Sequence, residues 1–334
     1  MNTLFVLLDG AEDHDIPEFG GKRPLDVAEM PFLNSVVKKK GYTTGRGYTH
    51  LFLNEFFTGY PPELPRAVIE ALGLNMNLKN GRTAYRLSPA YLRDNMVDWS
   101  YNMEKLHVSL TECVMNNLDM LNEYEPEINF FLNGRAILTM KCDVIPDLPS
   151  PPVPAPYKEV PEPLGSLVKK VADEMDGLTL YPWGCGRFSG QKKIYDCVKD
   201  LMTISDSPTA LGISASLGQG YKLIRDLDDR FPEAVKDLER YNVLLHMDEV
   251  DEYSHQKDPK KKVRVLEHID RLMERHFSDA ERIVYFVDHG TSSITGEHLP
   301  VRVPFWTSFD APFGNGDDVP LKDLVPRVMN WNEK

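Results

Sequence analysis

Cysteine is scarce. The 334 residues hold four, Cys113, Cys142, Cys185 and Cys197, and none falls at the CxxC or knuckle spacing of a redox pair or a thiolate zinc site. Scattered reduced thiols of a cytoplasmic protein are expected. Basic residues are outnumbered, 38 Lys and Arg against 51 Asp and Glu, for a net charge of −13. That excess of acid argues against nucleic acid and anionic membrane as partners. No apolar run approaches the roughly 20 residues of a membrane span. The apolar opening, Met1 to Leu8, is shorter than a secretory core and runs directly into Asp9-Gly10. A soluble cytoplasmic chain is expected. The sequence does not lack a core: hydrophobic residues make up 42% and aromatic ones 10%, which excludes wholesale disorder. The length suits one large α/β domain with a smaller one.

The most informative stretch is Ile283–Val287, β-branched and aromatic, which stops abruptly at Asp288-His289-Gly290-Thr291, with His298 beyond. A continuously apolar run of this kind reads as a buried parallel strand, and open α/β sheets place ligands at the C-terminal ends of such strands. Two other stretches look alike. Thr3–Leu8 stops at Asp9-Gly10, which also reads as a simple turn pair. Tyr241–Met247 stops at Asp248-Glu249-Val250-Asp251.

Between these runs lie helix signals. A helix is expected over Met30–Lys39, stopping at Gly41. The polar segment Thr43–Thr49 carries Gly45 and Gly47, and an apolar helix follows over His50–Phe57, ended by Thr58-Gly59. Thr49 therefore falls near a helix N-terminus as a natural N-cap, where a hydroxyl meets an anion-attracting dipole. Pro65–Leu72 reads as a short helix with Arg66 in its first turn, and Ala84–Leu87 as a strand. From about residue 95 the character changes. Asn102–Glu123 is an amphipathic helix. Ile128–Leu132 and Ala136–Met140 form a hairpin about Asn133-Gly134, with Arg135 just past the turn. Pro146–Pro163 is too rich in proline for regular structure. Gly165–Met175 is a helix, and Trp183-Gly184-Cys185-Gly186-Arg187 a tight loop. Afterwards Ala210–Ser214 reads as a strand, Tyr221–Leu227 as a helix and Val263–His276 as an amphipathic helix. The alternation implies an α/β fold with a doubly wound, mostly parallel sheet. The expected division is a core of residues 1–95 and 205–334 and an inserted, smaller α+β lid domain of 96–204.

Asp251 and His255 are four residues apart, so on a helical turn they share a face and can converge on one cation. Such a pair alone is more often a solvated helix face. Three acidic strand ends in one chain are harder to explain as surface polarity. Mixed Asp and His sets favour zinc or manganese over calcium or magnesium. Two clustered cations would polarise a phosphoryl group and acidify a hydroxyl, and with local arginines they would supply the positive field that an acidic chain lacks.

At these residues the chain resembles the cofactor-independent phosphoglycerate mutases of the archaeal type, within the alkaline phosphatase superfamily. The resemblance covers most of the length. It is closest in Leu8-Asp9-Gly10 through Gly20-Gly21-Lys22-Arg23-Pro24-Leu25, in Glu70-Ala71-Leu72-Gly73, in Asp251-Glu252 to His255 with Lys262-Val263 and Ile269-Asp270, and in Asp288-His289 to His298. It implies an alkaline phosphatase-like fold and two divalent metal ions, manganese or zinc. One would be held by Asp9, Asp288, His289 and the nucleophile, the other by Asp251, His255 and His298. It also implies substrate-phosphate arginines at Arg66, Arg86, Arg135 and Arg187, for each of which the alternative is a surface or ion-pairing arginine. The implied substrate is a small phosphorylated molecule, 2- or 3-phosphoglycerate.

The departure is at the nucleophile. The family carries a serine followed by Asp and then Ala-His; this chain has Tyr48-Thr49-His50-Leu51-Phe52. Thr49 is the catalytic candidate by position, with Thr43, Thr44 and Thr58 as alternatives. Three functions follow: a mutase working through a phospho-threonine, a metal-dependent phosphatase or phosphodiesterase, and a metal-binding relative without catalysis.

Overall fold

The structure, a computed structural model, describes residues 1–100, 106–190 and 193–330. The chain divides into two compact units, Met1–Pro62 with Gln191–Lys334, and Glu63–Gly190.

The first unit is built on a seven-stranded sheet. Its order is Gly220–Leu223, Leu201–Ser205, Asn242–Met247, Leu4–Leu8, Ile283–Phe286, Arg302–Thr307, Lys39–Thr44. The first five strands run parallel, and the strand 302–307 is antiparallel to both of its neighbours. The central strands Leu-Phe-Val-Leu-Leu, Asn-Val-Leu-Leu-His-Met and Ile-Val-Tyr-Phe are buried throughout, which is why they read as mainly apolar runs. After the first strand the chain goes to one edge of the sheet, at 39–44, and later returns on the other side, at 201–205. The reversal leaves the C-terminal end of the first strand as the natural place for a site. The mostly parallel α/β sheet is as expected.

The second unit carries an antiparallel six-stranded sheet around its longest strand, Thr83–Arg93, which pairs with Arg135–Met140, Met96–Trp99 and Leu178–Gly186. Helices His107–Asn117 and Leu164–Glu174 accompany it. The expected hairpin is present, with Asn133 and Gly134 both at positive φ in its turn. The start of the expected 102–123 helix, residues 102–105, lies outside the described residues. The unit boundaries, 62/63 and 190/191, precede those drawn from the sequence. The strand 83–93 belongs with the inserted unit's sheet, and the strand 201–205 with the main sheet.

Several local expectations are corrected. Residues 30–39 split into a helix Pro31–Val36 and an edge strand Lys39–Thr44. Gly41 lies against the ring of Phe305, so close that a β-carbon there would collide with it. Pro208–Ser216 is a helix, not a strand. Nearly every residue in it is buried, and a segment buried all round carries no periodicity to separate helix from strand. Gly220–Leu223 is a strand, and the helix starts later, at Leu227, where the Asp226 carboxylate accepts from the backbone N–H groups of Asp228 and Asp229. Residues 183–186 end the strand Leu178–Gly186 rather than forming a loop, and a register shift opposite 84–86 absorbs the glycines.

Candidate metal centre

The register of the parallel strands brings the acidic tips together. Leu8 lies beside Met247, and Leu7 beside His246 and Phe286. Asp9, Asp248 and the Asp288-His289 pair therefore leave three adjacent strands at one end of the sheet. The helix Glu249–His255 follows at once and carries Asp251 and His255 on one turn. Gly10 makes the packing possible. Its φ is +60°, and a β-carbon would stand 2.5 Å from the Asp251 carboxylate and 2.7 Å from the Thr291 hydroxyl.

The histidines are oriented as ligands. His255 Nδ1 lies 2.8 Å from the Gly296 carbonyl, His298 Nδ1 2.7 Å from that of Gly47, and His289 Nδ1 3.1 Å from that of Gly290. A carbonyl only accepts, so each Nδ1 carries the proton and each Nε2 turns its other face to the cluster. His255 Nε2 and His298 Nε2 are 3.1 Å apart. Asp251 Oδ2 is 3.1 Å from His255 Nε2. His289 Nε2 is 3.2 Å from Asp9 Oδ1 and 3.4 Å from Asp288 Oδ2. A cation held between two such imidazole nitrogens would satisfy both lone pairs. A tetrahedral cation with ligand bonds of about 2.0–2.2 Å has edges of about 3.3–3.6 Å, close to these separations. Asp288 Oδ1 accepts from the backbone N–H groups of Gly10 and His289, whereas its Oδ2 is buried and accepts no hydrogen bond among the described residues. The donor set therefore fits divalent cations. The groupings with metal-ligand geometry among the described residues are Asp251–His255–His298, Asp9–Asp251–His289 and Asp9–His246–Asp248.

Thr49 stands in the same cluster. It is the first residue of the helix Thr49–Thr58, and the N-cap is Tyr48, not Thr49. Its Oγ1 is 3.2 and 3.3 Å from the two Asp9 oxygens and 3.4 Å from His289 Nε2. These contacts are long for an O–H···O hydrogen bond and match the spacing of atoms around one ion. Thr43 lies in the edge strand and Thr58 bonds the Asn54 carbonyl at the far end of the helix.

The charges are mutually dependent. Burial and the nearby Asp9 charge push the Asp288 carboxyl up to about 7. Burial also acts against Asp9 and Asp251, but hydrogen bonds from His246 and His289 hold Asp9 well below the usual carboxylate range, and His255 does the same for Asp251. Burial, then the charge of His289, drives His298 down to about 3, the neutral form of a ligand imidazole.

Two residues have supporting roles that the sequence reading did not assign. His246 sits in the fully buried strand, with Nε2 2.7 Å from Asp9 Oδ2 and Nδ1 2.7 Å from Ser205 Oγ. Its signal was a polar residue inside an otherwise apolar stretch of parallel strand. Lys262 is wholly buried and ties the strand-end loops together, donating to the carbonyls of Gly10, Glu12 and Thr291 and to Asp13. Its signal was its place on the apolar stripe with Leu266, Ile269 and Met273.

The four arginines lie in the inserted unit. Arg66 and Arg86 share the buried Glu70, at 2.8 and 2.6 Å, and Arg86 lies 4.7 Å from the centre of the Trp183 ring. Arg187 donates to Thr83 Oγ1 and the Cys142 carbonyl and pairs with Asp143. Arg135 opens its strand, half-buried.

Comparison with known proteins fits this geometry. Residues 187–310 match the family model described as the metalloenzyme superfamily. A 2,3-bisphosphoglycerate-independent phosphoglycerate mutase of Pyrococcus furiosus is 25% identical, over 95% of this chain and 87% of that protein. Its namesake from Picrophilus torridus is 23% identical, over 92% and 88%. Among solved structures, the PH0037 protein of Pyrococcus horikoshii superposes with a TM-score of 0.72 at 18% identity, covering 100% of this chain and 98% of that one. The cofactor-independent phosphoglycerate mutase of Thermoplasma acidophilum gives 0.55 at 18% identity, covering 99% and 98%. At such identities the structural matches establish the shared fold. The chain is thus similar, over nearly its whole length, to the archaeal cofactor-independent phosphoglycerate mutases.

Proposed function

We propose that this protein is a metal-dependent phosphotransferase that interconverts 3-phosphoglycerate and 2-phosphoglycerate through a phospho-enzyme. The observation that carries it is the position of Thr49 Oγ1, at a helix N-terminus and within 3.4 Å of both Asp9 and His289. The curated relatives bear the name of this activity. Asp9, Asp288, His289 and Thr49 would hold one divalent cation, and Asp251, His255 and His298 a second. Manganese or zinc suits this mix of imidazole and carboxylate. When bound, the pair supplies Lewis-acid stabilisation of the attacking and leaving oxygens.

The chain's own residues do the rest. The Asp9 carboxylate, 3.2 Å from Thr49 Oγ1, is the proposed acceptor of its proton, and His246 Nε2 orients that carboxylate through the same oxygen, Oδ2. The Thr49 Oγ–phosphorus bond forms as the ester bond from phosphorus to the substrate oxygen breaks. The released glycerate oxygen takes up a proton. In the second half, the neighbouring hydroxyl of the same glycerate gives up its proton, attacks the phospho-threonine and frees Thr49. The positive end of the dipole of the helix Thr49–Thr58 would favour the negative charge that gathers on the phosphoryl oxygens. Arg66, Arg86, Arg135 and Arg187 are the proposed cationic contacts for the substrate's anionic groups.

The test is to incubate the metal-loaded protein with 3-phosphoglycerate and follow 2-phosphoglycerate and free phosphate together. Isomerisation without phosphate release is expected. Phosphate release alone would make the protein a phosphatase, and neither product would make it a binding protein. Thr49→Ala should abolish labelling of the enzyme by substrate phosphate, while Thr49→Ser should keep it. Labelling that survives in Thr49→Ala would move the nucleophile elsewhere.

A further inference from the structure

Lys262 places a charge where an apolar side chain would complete the pattern. It lies on the helix Pro259–Phe277, in line with the buried Leu266, Ile269 and Met273, and is itself wholly buried. Taking an ammonium out of water is costly unless acceptors surround it. Here four do. Its Nζ is 2.9 Å from the Gly10 carbonyl, 2.9 Å from that of Thr291, 3.2 Å from that of Glu12 and 3.0 Å from Asp13 Oδ2. None of these acceptors belongs to its own helix. Gly10, Glu12 and Asp13 lie in the loop after the strand Leu4–Leu8, and Thr291 in the segment after Ile283–Phe286. Gly10 directly follows Asp9, and Thr291 stands two residues beyond His289. The partners extend the link. Asp13 Oδ2 also accepts from the Ser293 N–H at 3.0 Å, and the Glu12 carbonyl from the Thr291 N–H at 2.9 Å. Thr291 Oγ1 donates to Asp251 Oδ1 at 2.5 Å. The Gly296 carbonyl orients His255, and the Gly296 N–H is held by the Ser292 carbonyl at 2.7 Å. One ammonium thus stands where the segments that carry both proposed sets of metal ligands meet.

We propose that Lys262 is a positioning residue of the metal centre: its ammonium sets the spacing of the loops 9–13 and 288–293, and with it the separation at which Asp9 and His289 face one cation. The sheet does not fix that separation alone. The ladder between the two strands ends at Leu7 and Phe286, whereas Asp9 Oδ1 and His289 Nε2, 3.2 Å apart, lie beyond it. Past that point the two loops bond each other, through Gly10 N–H to Asp288 and Thr291 N–H to Glu12. Lys262 adds the tie from a third element, the long helix that follows Asp251 and His255 in the chain. Lys262 bonds no ligand side chain of the proposed pair. It acts through the backbone beside them, as hydrogen-bond partners outside the ligand set do when they orient a metal's ligands. An apolar residue at this position would leave the loops held only by one another.

This inference rests on the two-metal assignment, and the wild type tells the two apart. Lys262→Met alone would strand the Asp13 carboxylate in the interior, so the variant to measure is Lys262→Met combined with Asp13→Asn. Leu266→Ala, one turn along the same buried stripe, is the control for lost stability alone. The full-length proteins are titrated with manganese chloride by calorimetry at a temperature where circular dichroism shows each to be folded. They are then loaded with cobalt(II), whose visible absorption reports the ligand geometry. The double variant is expected to bind manganese roughly 10- to 100-fold more weakly than wild type, with a shifted cobalt band. Leu266→Ala should melt lower than wild type with affinity and band unchanged. Wild-type affinity and band in the double variant would overturn the positioning role and leave the metal pair standing. The same losses in Leu266→Ala would make the effect one of stability and overturn it too. A wild type that binds no divalent cation would overturn the metal pair and this role together. If the double variant does not fold, Lys262→Gln, which keeps two N–H donors without the charge, is judged by the same outcomes.

Discussion

Two buried charge clusters in this molecule differ in one respect. In the inserted unit, Glu70 is shared by Arg66 and Arg86, and Arg86 also bonds Ser88, whose hydroxyl accepts from the Trp183 indole. Its carboxylate and guanidinium groups answer each other. At the strand ends of the first unit, among the described residues, Asp288 Oδ2 is buried and accepts no hydrogen bond, Asp248 comes no nearer than 3.9 Å to His246 Nε2, and His255 and His298 point nitrogen at nitrogen. The first cluster is complete as a protein structure. The second is complete only with guests. Buried polar groups are nearly always satisfied, so a concentration of unsatisfied acceptors in a single place marks a binding site more clearly than the count of charges does.

The largest effect should come from breaking the complete cluster. Glu70→Ala leaves two arginines without their shared carboxylate, one of them buried. Removing one partner of a buried pair costs about 3–5 kcal/mol. Thermal or denaturant unfolding should show that loss, with the metal content of the protein unchanged. An altered metal content would mean that the two clusters are not independent.

The incomplete cluster should show itself through pH. The Asp288 carboxyl is raised to about 7 by burial and by Asp9, so the folded metal-free protein holds a proton that the unfolded chain releases near pH 4. Stability contributed by that group is fully present below pH 4 and is lost as pH rises through 7, with a slope of at most about 1.4 kcal/mol per unit. Asp288→Asn should flatten this slope in the presence of chelator. Saturating manganese should reverse it, because a cation replaces the proton and binds better as ligands deprotonate. A metal-free protein whose stability does not fall between pH 4 and 7 would contradict the picture of an unanswered carboxylate.

The clusters also differ in how far the sequence revealed them. Asp9, Asp251, His255, Asp288, His289 and His298 could be read because each follows or lies near a run of apolar residues whose period identifies a strand or helix. Thr49 could be placed at a helix start because the apolar run His50–Phe57 follows it, although the N-cap is Tyr48. The roles of His246 and Lys262 were not, because the identity of a buried polar group's partner is decided by strand register and helix packing across more than 200 residues of chain. The same reason hid the helix Pro208–Ser216, whose residues are buried on every side, and the allegiance of the strand Thr83–Arg93, whose partners come as much as a hundred residues later. Pattern reports which face is buried; it does not report against what.

The smallest effect tests the edge of the complete cluster. Arg187 gives Nε to Thr83 and one terminal nitrogen to the Cys142 carbonyl and Asp143. Its other terminal nitrogen has no partner among the described residues, and the side chain is 36% exposed. The guanidinium is thus held by protein on one side and open on the other, the arrangement in which an arginine meets an anion without having to be ordered first. Arg187→Lys keeps the charge but loses the planar fork. Stability should fall by about 1 kcal/mol, the worth of an ordinary hydrogen bond, and KM for 3-phosphoglycerate should rise roughly fivefold with kcat unchanged, since uniform binding is what is lost. If stability falls and KM does not move, Arg187 belongs wholly to the self-satisfied side of the comparison, and the substrate's anionic groups are left to Arg66, Arg86 and Arg135.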